Sequence, residues 1–154
     1  MPARFKFRLE ALLRVRKSLE EEAKRHLARM LANLEQTKAR VAELEAAQLA
    51  AMLSRQVAPG SVVNLEEWRN TERFLFVVEQ RIKLAKGAVL LAEGQVAASR
   101  KALLKAHQNH LIIQRLKERR QEQHAQELLR EETREMDEIA VLRYHISHPT
   151  ASNL

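Results

Sequence analysis

From Leu9 onward the apolar and small residues of this chain recur at steps of three and four. The series runs Leu9, Leu12, Arg16, Leu19, Ala23, Leu27, Met30, Leu34, Thr37, Val41, Leu44, Gln48 and Ala51. That spacing keeps one face of an α-helix apolar and predicts a coiled-coil seam. The two successive steps of four, Leu19 to Ala23 to Leu27, break the heptad and predict local unwinding of a supercoil. A second series follows the same rule: Leu75, Val78, Ile82, Ala85, Val89, Ala92, Val96, Ser99, Leu103, Ala106, His110 and Ile113.

Between the two lies Val57-Ala58-Pro59-Gly60-Ser61-Val62-Val63-Asn64, where proline removes a donor and Pro-Gly marks a turn. The second helix opens with strong start signals. Asn64 can cap it and Glu67 can complete a capping box, while Val63 and Trp68 occupy the positions of a hydrophobic staple. The reading is therefore a first helix at about 5–56, a hinge at 57–64, a second helix at about 65–146 and a frayed tail at 147–154, forming one domain over 1–154.

Two seams must cover each other. A hinge of eight residues spans about 28 Å when extended, whereas parallel pairing would require a return along a helix about 78 Å long. Pairing within the chain is thus antiparallel, and the predicted fold class is all-α: a long two-helix antiparallel coiled coil with a C-terminal helical overhang. Counted outward from the hinge, the first helix covers the second as far as residue 116. Lys117-Glu118-Arg119-Arg120-Gln121-Glu122-Gln123-His124 has no apolar residue, as expected of a helix wet on all sides. Beyond it Ala125, Leu128, Leu129, Met136, Ile139, Ala140 and Leu142 restore an apolar face with nothing in the chain to cover it. Such a face is a docking element or an oligomer seam.

Composition fits this picture. The 154 residues are 45% hydrophobic, 31% charged and 4% aromatic, with three Gly and three Pro, a helix-former mixture rather than the filling of a rounded core. Without cysteine, disulfides and thiolate metal sites are excluded. No apolar run approaches the ~20 residues of a membrane span and no signal-peptide pattern is present, so a soluble protein that stays in the cytoplasm is expected.

The net charge is +7 and unevenly spread. Lys and Arg number 12 against 7 acids in residues 1–56 and 9 against 5 in 65–116, but 6 against 8 in 117–146. The basic bias raises nucleic acid as a partner, yet only Phe5 and Phe7 precede Trp68 as aromatics, so a stacking platform is missing. A basic nucleic-acid-binding coiled coil and a structural coiled coil self-associating through 125–142 are the alternatives to the reading below.

Catalysis has no foothold. There is no phosphate-binding glycine loop, no pocketed carboxylate pair and no nucleophile with a base, so no enzyme, no small-molecule substrate and no cofactor are expected. His107 and His110 lie one turn apart, as do His145 and His148, but no carboxylate or third histidine is placed by sequence to complete a metal site, and none is expected. Gly87 and Gly94 stand seven apart at outward positions, each costing about 1 kcal/mol relative to Ala. They are either tolerated surface glycines, or points where another backbone comes close or the helix bends.

The opening Phe5-Lys6-Phe7-Arg8-Leu9-Glu10-Ala11-Leu12-Leu13-Arg14-Val15-Arg16 resembles the N-terminal signature of the FliJ family, the small coiled-coil component of the bacterial flagellar type III export apparatus. Met136-Asp137-Glu138-Ile139-Ala140 resembles that family's C-terminal motif, and the hinge followed by Trp68 and then Phe74 through Ile82 also fits. The resemblance implies an architecture similar to the two-helix stalk of the rotary ATPase γ subunit. Its open end would insert into the hexameric export ATPase and promote its assembly and activity, at the inner membrane face of the flagellar basal body.

On the same grounds, Phe5, Leu9, Leu12, Leu13, Met136, Asp137, Glu138, Ile139 and Ala140 would face the ATPase. Leu44, Ala51, Phe74 and Val78 would face the export-gate membrane protein, with export chaperones as further partners. One departure stands out: where the family often presents aromatic or bulky polar residues near the hinge, this chain has Ala46, Ala47, Ala50 and Ala51.

Overall fold

A computed structural model describes residues 4–56 and 59–149. Among them the fold is all-α: α1 is Glu10–Ser54 (45 residues) and α2 is Leu65–Ser147 (83 residues). The chain divides into two compact units, one formed by Met1–Lys17 with Gln108–Leu154 and the other by Ser18–His107. In each unit α1 and α2 run antiparallel, as the short hinge requires. The tail expected to fray begins inside α2, which continues through Ser147, and from residue 150 it lies outside the described residues.

The Ser18–His107 unit holds the hinge and the better-filled seam. Leu44, Val78 and Ile82 form a buried cluster with Ala85 against it, and Ala92, Val96 and Ser99 continue the buried line along α2. Small residues at alternate seam positions of α2 let the helices approach closely. The buried Ser99 hydroxyl donates to the Gln95 carbonyl at 2.8 Å, and that of Thr37 to the Leu34 carbonyl at 2.8 Å, so neither leaves an unmade hydrogen bond in the seam.

The α1 seam differs from expectation at one residue. Leu19 is 47% exposed, whereas Glu20 is 6% exposed. Taken through Leu13, Arg16, Glu20, Ala23 and Leu27, the steps alternate between three and four without a break, and the predicted irregularity disappears. Hydropathy chose the leucine. The glutamate goes inside because its carboxylate meets the His107 ring at 2.8 Å and the Lys24 ammonium at 3.7 Å.

At the hinge, Gly60 adopts φ +88°, a conformation that disfavours any side chain. Asn64 Oδ1 then accepts hydrogen bonds from the amides of Glu66 (3.0 Å) and Glu67 (3.5 Å), capping α2 as expected. Trp68 carries the Arg55 guanidinium over its ring at 4.7 Å, and Arg55 also pairs with Glu72. This cluster fastens the residue after α1 to the first two turns of α2.

In the other unit α1 starts later than predicted. Residues 4–7 are not helical, and the helix begins at Glu10, whose amide donates to the Phe7 carbonyl at 3.2 Å. Phe7 and Leu13 are buried. Arg16, also on the seam, keeps a buried guanidinium Nε without a hydrogen-bond partner.

Candidate interaction surfaces

The expected polar collar is not wet on all sides. Lys117 Nζ meets the Glu10 carboxylate at 2.9 Å, and the His124 ring packs against Phe5 with centroids 5.6 Å apart and a 45° tilt. The reason is geometric. Residues 4–7 are not helical and a turn from Phe7 to Glu10 precedes α1, so the N-terminal segment runs on along α2 past the first turn of α1 and reaches His124 through Phe5.

The residues expected to face an ATPase separate into two sets. Phe5, Leu9 and Leu12 are half-buried and Leu13 is buried, so this set mainly holds the N-terminal segment and α1 onto α2. The Met136-to-Ala140 motif is free of that packing: Met136 is 72% and Ile139 50% exposed, with Asp137, Glu138 and Ala140 exposed beside them. Twelve residues of helix separate His124 from Met136, about 18 Å. The structure therefore does not merge the two signatures into one patch. The motif instead continues into Val141, Leu142, Tyr144 and Ile146, all exposed.

Arg134, Asp137 and Glu138 rim a shallow apolar depression floored by Val141 and Leu142. Charged edges around an apolar floor suit a helical partner better than a small molecule. Tyr144 stacks on His148 with centroids 4.6 Å apart, which orders the end of α2.

The four residues expected to face an export gate also divide. Leu44 and Val78 lie within the seam, Val78 with 2% exposure, and neither presents a surface. Ala51 is half-buried and Phe74 is 46% exposed. Near the hinge the exposed apolar side chains off the seam include Leu49, Met52, Leu53 and Phe76. These follow from the same heptad count read one or two positions off the seam, a signal available in the sequence once the register is fixed.

His107 acquires the carboxylate that sequence inspection did not supply, since Glu20 lies 87 positions away in the chain and beside it in the fold. Among the described residues no helix is long and apolar enough to cross a membrane.

Comparison with known proteins gives one relationship. Neither the curated proteins nor the solved structures provide a match. The profile of the flagellar FliJ protein family matches residues 5–148, from the residue that packs on His124 to the residue that stacks on Tyr144. With nearly the whole chain matched, including both terminal signatures and the hinge between them, the chain belongs to the flagellar FliJ family, a component of the flagellar protein-export machinery.

Proposed function

We propose that this protein is the non-enzymatic stalk of the flagellar type III export apparatus, inserting the end that carries Phe5 and the Met136-to-Ala140 motif into the export ATPase hexamer. The observation that carries this reading is the exposed apolar face of α2 from Leu129 to Ile146, which pairs with nothing among the described residues. An apolar helix face bordered by Glu131, Glu132, Glu135, Asp137 and Glu138 suits a ring interior that offers apolar grooves with basic rims. Binding there promotes assembly of the ring and its ATP hydrolysis. The hinge end, with Phe74 and Ala51 on its surface, links the ATPase to the export-gate membrane protein and to export chaperones at the inner membrane face of the basal body. Leu44 and Val78 support that surface from beneath.

The test is ATP hydrolysis by the cognate hexamer with full-length chain, with chain ending at Lys117, and with Ile139→Asp. Ile139 is half exposed on an already solvated stretch, so its replacement leaves the paired region folded. Loss of stimulation in both variants is expected; full stimulation by the truncated chain would remove the basis for the assignment.

A further inference from the structure

In the Ser18–His107 unit, the side of α2 that lies off the seam is apolar. Phe76, Val77, Leu84, Leu90, Leu91 and Leu104 lie one or two heptad positions off the seam, and Leu84, Leu90 and Leu91 are 77%, 70% and 67% exposed. Gly87 and Gly94 run down the middle of this face, and a Cβ built on either meets nothing within 4 Å. The result is a groove with a glycine floor and leucine walls, the shape that lets a second helix approach backbone to backbone. A solvated helix face would carry charged residues here. Between Val77 and Ala98 its only polar members are Gln80 and Lys83.

From this face we infer that a second copy of the chain docks antiparallel on α2, about a two-fold axis near Val89. The face is self-complementary in that direction alone. With the two copies opposed, Leu84 lies over the partner's Gly94 and Leu91 over the partner's Gly87, large against small, and the symmetry repeats both contacts. Leu90 meets its own counterpart beside the axis, and Phe76 falls opposite the partner's Leu104. Outside them the charges also match in antiparallel order: Glu79, which lies 3.8 Å from Lys83 on its own helix, opposes the partner's Arg100, and Lys86, which also reaches Glu45 of α1 at 3.6 Å, opposes the partner's Glu93, each twice by symmetry. A parallel pairing in register would instead set each of these charges against its own kind.

The area is sufficient. Residues 77–101 make about 37 Å of helix, and covering about half its circumference buries about 600 Å² per copy, or about 1,200 Å² in all, the lower end for a specific interface.

Sedimentation of the full-length chain over a wide concentration range tests this. A monomer–dimer equilibrium is expected, weakened by at least about tenfold in Gly87→Leu. That substitution enters open space within one copy and raises helix propensity, so a folding defect cannot account for the loss. Glu93→Lys weakens the dimer and the added Lys86→Glu restores it. Because the chain has no cysteine, Leu90→Cys introduces a lone thiol that oxidises to a disulfide-linked dimer, whereas Leu84→Cys, about 15 Å from its symmetry mate along the helix, does not. A monomer at every concentration overturns the inference. So does a dimer indifferent to Gly87→Leu but abolished by Ile139→Asp, which would place self-association on the C-terminal face, or equal cross-linking through both cysteines.

Discussion

At the scale of single residues, the seam ranks its members by burial rather than by hydropathy. Val78 and Leu44 sit at its tightest point, and Leu44→Ala is expected to destabilise the fold by about 2–4 kcal/mol. By contrast Leu84→Ala, on the open face, is expected to change the stability of the isolated copy by less than about 0.5 kcal/mol. Denaturant midpoints at low protein concentration separate the two. Glu20 illustrates the opposite case, an acid inside the seam. Its pairing with His107, which is half-exposed, replaces hydration without adding much stability. The double replacement Glu20→Leu with His107→Leu is therefore expected to stay within about 1 kcal/mol of the parent in thermal unfolding. What it removes is directional preference: an all-apolar seam tolerates sliding that a buried charge does not.

At the scale of elements, both helices and their polarity are legible in the sequence, because a heptad sustained over so many turns has few alternatives. The boundaries are legible where a side chain meets nearby backbone, as at Asn64, and illegible where a distant partner decides. Phe5-Lys6-Phe7 alternates in a way that suits an extended segment, but only its packing on α2 through His124 shows why the helix waits until Glu10. The exchange of Leu19 for Glu20 has the same origin, since the partner is 87 positions distant. The hinge gives a direct check. Asn64→Ala is expected to cost about 1 kcal/mol through loss of the cap, and Gly60→Ala a similar amount through its positive φ. Fluorescence of Trp68, the chain's one tryptophan, follows both, since Arg55 lies over the same ring.

For the molecule as a whole, surfaces were harder to read than folds. A seam declares itself by period alone, whereas an exposed apolar residue acquires meaning only after the seam has been subtracted. Hence Leu44 and Val78 read as contact residues in the sequence although they are interior, while Leu90 and Leu91 carry no signal there although they are exposed. Subtraction also sharpens the pairing itself. In the Ser18–His107 unit, Glu20 lies 35 residues before Arg55, which directly follows α1, and His107 lies 35 residues after Glu72 on α2, with Glu20 bonded to His107 and Arg55 to Glu72. Five heptads on one arm answer five on the other, with no residue skipped.

That equality makes the hairpin a graduated scale whose unit is seven residues, readable only when both arms carry the same count. Inserting one heptad after Met30 alone should split the cooperative thermal transition seen by circular dichroism. A matching heptad after Val96 should restore it. Chains of this design can change length over evolution, but only by paired events, so hairpin length is a quantity that one insertion cannot tune.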